Sequence, residues 1–280
     1  MTGTAELEGL ARRLRARVVA MSCRSRTPHL GSSLSCIELL IACLWGHLEL
    51  EAAPNQSGRD HLVFSKGHAA AALYATLAAR GLIDETELAD FAVSGSRLGE
   101  QPLPFGVPGL EVATGSLGHG LPIAVGMALG ARILGARPRI AVILSDGECN
   151  EGSVWEAAMM AGARQLEELC VLVDFNKWQA TGRSQQVLAL DPLAAKWQAC
   201  GWDATDVDGH NLSELMAALQ RPHLGRSRGR PLAIVAHTVK GKGVSFMEDD
   251  NNWHYRIPTA AELVAACAEL GVDVPDGEEP

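Results

Sequence analysis

SDGECNEGSVWEAAMMAGARQLEELCVLVDFNKW, residues 145–178, decides the fold. An apolar run, Ile140 to Leu144, leads into it and delivers Asp146-Gly147 at its C-terminal end. A second run, Cys170 to Phe175, delivers Asn176, and from 146 to 176 is 30 residues. A helix-like segment, Val154 to Leu166, fills the gap. Two parallel strands need a crossover of this length, so the stretch predicts a βαβ unit. Open parallel sheets bind ligands beyond the carboxyl ends of their strands. A carboxylate and an amide oxygen beside a glycine turn suit Mg²⁺, which prefers hard oxygens and completes its shell with a ligand's phosphates. The stretch therefore reads as a site for a metal-bound diphosphate. Taken singly, Asp-Gly after a strand is ordinary turn chemistry, and Asn is an ordinary cap. The specificity lies in their joint spacing.

Working outward, further strand-like runs occur at Leu62 to Phe64 and Leu232 to His237. Helix-like segments lie between the runs: Leu7 to Ser22, Ser33 to Leu48, Ala69 to Arg80, Leu121 to Leu134 and Ser213 to Leu219. This alternation predicts an α/β fold of three layers, a mostly parallel sheet with helices on both faces. The 280 residues suffice for one large domain, 1–280, with no internal repeat and no long linker. The basic stretch RPHLGRSRGRP, 221–231, is expected to be a solvated loop, and the acidic end DVPDGEEP to fray.

Charge and cysteine bound the function. With 24 Lys+Arg against 33 Asp+Glu, the net charge is −9, which argues against nucleic acid or an anionic membrane as partner. Seven cysteines, without a CxxC pair, suggest reduced thiols in a cytoplasmic protein. Cys36, Cys43, Cys170 and Cys267 lie in apolar patterns and are expected in the core; Cys149 lies near the motif. The N-terminus lacks a signal-peptide layout. CIELLIACLW is too short to span a bilayer and carries Glu38, so it is expected to be a buried helix. Glycines cluster at SKGH (65–68), ATGSLGHG (113–120) and VKGKG (239–243), where backbone can approach a ligand closely.

The Asp146-Gly147 and Asn176 pattern closely resembles the thiamine diphosphate motif, in which Gly-Asp-Gly precedes an Asn at a similar distance. The flanks GECNEGSVWEAAMMAG and VDFNKWQATG resemble transketolase, in particular its separately encoded N-terminal half, and the resemblance runs over roughly residues 15–256. It implies that Asp146, Asn176 and the carbonyl of Trp178 bind Mg²⁺. It places Gly147, Glu148, His68 and Lys240 on the diphosphate side of thiamine diphosphate. Gly115 and Leu117, in ATGSLGHG, would border the cofactor's pyrimidine. PHLGSSLSCIELL puts His29 near the reactive ring, and VKGKGVSFMEDDNNWHYR puts His254 near diphosphate and substrate. Imidazoles donate and accept near neutral pH, which suits proton movement and a developing oxyanion.

Three departures stand out. Ser145 replaces the first Gly of the motif. His119 stands where the family more often has Gln. Gln101, in EQPLPFGVPGLEVATG, stands where transketolases acting on sugar phosphates have a His; Gln still hydrogen-bonds but cannot shuttle a proton at neutral pH. It is kept among the catalytic candidates as a substrate contact. His47, His61, His210 and His223 are read as surface or capping residues.

The resemblance implies ketol transfer from a ketose phosphate donor to an aldehyde acceptor. It also implies a C-terminal transketolase subunit carrying the pyrimidine-binding half, in an α₂β₂ assembly. The α subunit of a 2-oxo acid dehydrogenase shares the metal motif but not DFNKWQATG or the His29 and His68 contexts. Deoxyxylulose-phosphate synthase is one long chain. A non-catalytic scaffold paralogue is opposed by the intact Asp146, Asn176, His29, His68 and His254.

Overall fold

The computed structural model describes residues 3–50, 59–103, 106–220 and 229–275. Five parallel strands form one sheet: β1 (His61–Phe64), β2 (Ile140–Ser145), β3 (Leu169–Phe175), β4 (Asp203–Asp208) and β5 (Leu232–His237). Their spatial order is β1-β2-β3-β5-β4. The helices are α1 (Thr4–Ser25), α2 (Leu30–Ser35), α3 (Ile37–Gly46), α4 (Ala70–Ala79), α5 (Gly120–Ile133), α6 (Gly152–Ala163), α7 (Ser184–Val187), α8 (Leu193–Ala199), α9 (Leu212–Leu219) and α10 (Ala260–Leu270).

The central strands β2 and β3 are buried at every position. This follows from helices on both faces, which makes a parallel strand apolar throughout rather than alternating. The period of two sorts these side chains between two cores. Leu62, Phe64, Ala141, Ile143, Cys170 and Leu172 join the core of α1–α4, α9 and α10. Val63, Val142, Leu144, Val171 and Val173 join the core of α5, α6 and α8. The three-layer α/β expectation holds. Cys36, Cys43, Cys170 and Cys267 are buried, as their apolar settings predict.

Some expectations need correction. The expected helix Ser33–Leu48 is two helices, interrupted at Cys36 (φ −102°, ψ 10°). The interruption frees the Ser32 carbonyl to accept Lys66 Nζ–H at 2.8 Å and lets Ser35 Oγ–H reach Asp174 Oδ2 at 2.6 Å. β4 escapes the apolar-run criterion because it is an edge strand, DATDVD, with largely solvated side chains. α10 is an additional helix, and Thr259 and Glu262 form a capping box at its start. His47, expected at the surface or as a cap, is buried and is the C-cap of α3, with its N–H on the Cys43 carbonyl. The basic stretch at 221–228, with His223, and the last residues, 276–280, lie outside the described residues. Among the described residues no helix is long and apolar enough to cross a membrane.

The topology also gathers the polar strand ends. Because all strands run the same way, Ser65-Lys66-Gly67-His68, Asp146-Gly147, Asn176-Lys177-Trp178 and Thr238-Val239-Lys240 leave the sheet at the same edge.

Candidate active site

At the centre of that edge, Asp146 and Asn176 are presented by buried partners. Asp146 Oδ1 accepts Gly147 N–H at 2.8 Å; Oδ2 accepts Lys177 N–H at 2.9 Å and Ser184 Oγ–H at 2.7 Å. Asn176 donates its amide to Asp174 Oδ2 at 3.2 Å and Ser35 Oγ at 3.4 Å. A carboxylate acceptor there fixes which way the amide points, so Oδ1 is the free end. Among the described residues Oδ1 accepts only Trp178 N–H, at 3.1 Å, and keeps a second lone pair. Asp174 is itself held by Lys66 and Thr238, entirely buried. Burial pushes the Asp146 carboxyl up to about 7, with Asp174 adding to the effect against Ser184. A buried carboxylate with a spare lone pair beside a free amide oxygen fits a hard dication. Among the described residues no three His, Cys, Asp or Glu side chains gather to hold a metal alone. A cation at Asp146 would therefore draw on Asn176, a backbone carbonyl and its ligand's own oxygens.

Three imidazoles close over one side of this edge. His29 and His254 meet edge to face with ring centroids 4.9 Å apart; His68 lies 5.5 Å from His29 and 6.2 Å from His254. His29 is held by its backbone, at φ 68°, with its N–H donated to the His254 carbonyl at 2.9 Å. Lys240 Nζ, buried, donates to Asn251 Oδ1 at 2.8 Å and lies 3.3 Å from His254 Nδ1. Burial, then the charge of Lys240, lowers His254 to about 3. Burial and Lys240 lower His29; burial and Lys66 lower His68 further. All three rings are thus neutral at physiological pH. Burial brings the Lys240 ammonium down to about 8.

The loops around the rings approach as closely as backbone allows. A Cβ on Gly67 would stand 2.6 Å from the Thr114 carbonyl carbon, so only glycine lets ATGSLGHG lie on SKGH. A Cβ on Gly115 (φ 128°) would stand 1.6 Å from Gln101 Oε1. These are the cradles a flat or charged ligand needs.

The structure thus brings His29, His68, His254 and Lys240 together, and Asp146 beside Asn176. Gln101 packs on Gly115, exposed to solvent. Leu117 and Trp178 are part-buried; His119 is exposed. Glu148 differs from its expected place on the diphosphate side. Its carboxylate accepts Ser65 Oγ–H, Gly118 N–H at 2.9 Å and Ser145 N–H at 3.3 Å, so it joins the ends of β1 and β2 to the segment before α5. Ser145 Oγ accepts Glu148 N–H at 3.3 Å in return, which gives the departure at this position a local use. Sequence reasoning misses Lys66, Asp174, Ser35 and Ser184, whose partners are far away in the chain. His210, expected at the surface or as a cap, is a part-buried strut. It bonds Glu38 Oε2 through Nδ1 at 3.0 Å and accepts Val239 N–H on Nε2 at 2.9 Å.

Comparison with known proteins agrees with this geometry. Residues 8–277 match the family described as transketolase, thiamine diphosphate binding domain. The chain is 35% identical over 265 residues to a subunit of the apulose-4-phosphate transketolase of Phocaeicola vulgatus, covering 94% of this chain and 93% of that protein. It is 40% identical over 243 residues to 6-deoxy-6-sulfo-D-fructose transketolase subunit SqwG of a Clostridium species, covering 86% and 88%. Transketolase from Campylobacter jejuni superposes with a TM-score of 0.89 at 25% identity, over 99% of this chain and 45% of that one. The chain spans a little under half of that solved transketolase and nearly all of the separately encoded subunits. It belongs to the transketolase family of transferases, as the thiamine diphosphate-binding, N-terminal half.

Proposed function

We propose that the chain, as a single diphosphate-binding domain over 1–280, is the N-terminal subunit of a two-subunit transketolase. It would move a two-carbon ketol group from a ketose phosphate donor to an aldehyde acceptor, with Mg²⁺ beside thiamine diphosphate. The observation that carries the reading is the convergence on one sheet edge of Asp146, Asn176, Lys240 and three neutral imidazoles.

Asp146, Asn176 and the Trp178 carbonyl hold the Mg²⁺. Lys240, His68 and the Gly147 backbone supply positive charge and donors for the diphosphate. Gly115 and Leu117 border the ring. Thiamine diphosphate, when bound, supplies the carbon chemistry of breaking and remaking the ketol bond. The protein's part is to hold, orient and move protons. An ammonium only donates, so Lys240 places its N–H on His254 Nδ1 and leaves His254 Nε2–H as a donor toward a developing oxyanion. His29 faces it edge to face and completes the proton path. Gln101 contacts substrate hydroxyls without titrating.

Two relatives that match over most of their length are named as individual subunits of their enzymes. That supports a partner subunit, which would carry the C-terminal, pyrimidine-binding half in an α₂β₂ assembly. The test is ketol transfer from a ketose phosphate, with Mg²⁺ and thiamine diphosphate, by this chain alone and with its C-terminal partner. Activity only in the mixture is expected. Complex formation without transfer from any ketose donor overturns the reading.

A further inference from the structure

The loop 98–102 carries an acid that faces the imidazoles. Glu100 Oε1 lies 3.9 Å from His29 Nδ1, with the Glu100 side chain 48% exposed. That Nδ1 is buried and has no hydrogen-bond partner among the described residues. The position of the residue is fixed. Its backbone is anchored to the His254 carbonyl, and its own carbonyl accepts Ser33 N–H and Oγ–H, both at 3.1 Å. The acid's own loop is anchored as well. Gln101 packs on Gly115, and Thr114 N–H donates to the Pro102 carbonyl at 3.3 Å. Thr114 Oγ–H reaches the Phe64 carbonyl at 2.8 Å, tying that loop to the end of β1. The half-exposed carboxylate needs to close by about 1 Å to reach hydrogen-bond length, while the segments on either side of it are held.

We propose that Glu100 is a positioning residue for His29: it accepts the Nδ1–H of that ring and leaves Nε2 as the proton acceptor. Lys240 imposes the opposite tautomer on His254. The pair then offers one acceptor nitrogen and one donor N–H to a substrate, which is what moving a proton between two oxygens requires. Among the described residues the groups facing His29 are His68, His254, Lys240 and Glu100, of which Glu100 alone is negative. The inference rests on reading the three histidines as the reacting end of a ketol transferase.

The test separates the two ideas. Histidine-labelled full-length chain, with Mg²⁺ and thiamine diphosphate added, is read by ring nitrogen chemical shifts, with His29 assigned through H29Q. Wild type should show His29 protonated at Nδ1. E100A should mix the tautomers, and E100D should restore part of the Nδ1–H signal. In the assembled enzyme, E100A should lower kcat about tenfold with the KM for thiamine diphosphate unchanged, and E100D should recover part of it. A merely structural acid would move stability and both constants together and leave the tautomer alone. His29 protonated at Nε2 in wild type, or identical ring shifts in wild type and E100A, overturns the proposal. The expected tautomers without ketol transfer by any assembly would uphold the role of Glu100 and sink the functional reading.

Discussion

Two settings of histidine adjoin the VKGKG loop, and they differ in what their nitrogens touch. His210 spends both ring nitrogens on the protein. It joins Glu38, which pairs with buried Arg15 at 2.7 Å, to the Val239 N–H beside Lys240. His29 keeps a buried Nδ1 with no partner among the described residues, and the imidazoles around it touch one another. The difference teaches a rule for this molecule. An imidazole bonded to the protein through both nitrogens is a strut, whereas the three rings gathered at the strand ends keep, on the proposed function, a nitrogen for a ligand.

The largest effect expected from this contrast is on the ligand side. Asp146→Asn should weaken binding of thiamine diphosphate with Mg²⁺ by about a hundredfold or more, measured calorimetrically on the assembled enzyme. The unloaded chain should lose only about 1 kcal/mol by thermal unfolding, because one oxygen that accepts a backbone N–H becomes an amide NH₂. Retained affinity would remove Asp146 from the metal.

Next comes a crossed pair of substitutions. His254→Ala should reduce kcat about a hundredfold with little change in stability. His210→Ala should cost about 2 kcal/mol, seen in denaturant unfolding, with turnover per folded molecule largely kept. If His210→Ala instead abolished turnover at unchanged stability, the division into strut and ligand histidines would collapse.

The strut also has a pH signature. Burial opposes ionisation of Glu38, but Arg15, then His210, overcome it and hold the carboxyl at about 2, below its ordinary 4.5. A depressed carboxyl stabilises the fold above its unfolded value. That contribution, on the order of 3 kcal/mol, is present above about pH 4.5 and drains away as pH falls toward 2. Urea unfolding between pH 6 and pH 3 should show this slope in wild type and lack it in Glu38→Gln. An identical slope in both would locate the acid sensitivity elsewhere.

The smallest expected effect sharpens the ligand side. Gly115→Ala places a Cβ 1.6 Å from Gln101 Oε1 at a backbone φ of 128°. It should cost about 1 kcal/mol by thermal unfolding and raise the KM for the donor. Adding Gln101→Ala should relieve the steric part and leave the backbone part. Full relief would mean that the left-handed backbone carries no strain.

The apolar runs at β1, β2, β3 and β5 are readable because strands covered on both faces are apolar throughout. β4 is not, because an edge strand carrying Asp203, Asp206 and Asp208 looks like a loop when read along the chain. The kink at Cys36 is unreadable for another reason. Helical periodicity continues across it, and Lys66, far along the chain, is among the groups that claim the Ser32 carbonyl. Among site residues, Asp146, Asn176, His29, His68, Lys240 and His254 are legible because short motifs carry them. The partners of Glu148 are not legible, since Ser65 and Gly118 come from other segments of the chain.

By itself, the sequence determined the βαβ unit, the family, and the candidate ligand groups at the strand ends. Each of these depends on patterns local to a few dozen residues. Tertiary structure alone decided which way Asn176 points, which histidines are neutral, which is a strut, and that Glu100 faces His29. Those depend on burial and on hydrogen bonds between segments far apart in the chain, as between the His29 N–H and the His254 carbonyl or between Glu38 and His210. No local pattern encodes a partner at that distance, because the chain brings it near only when the parallel sheet gathers its strand ends on one edge.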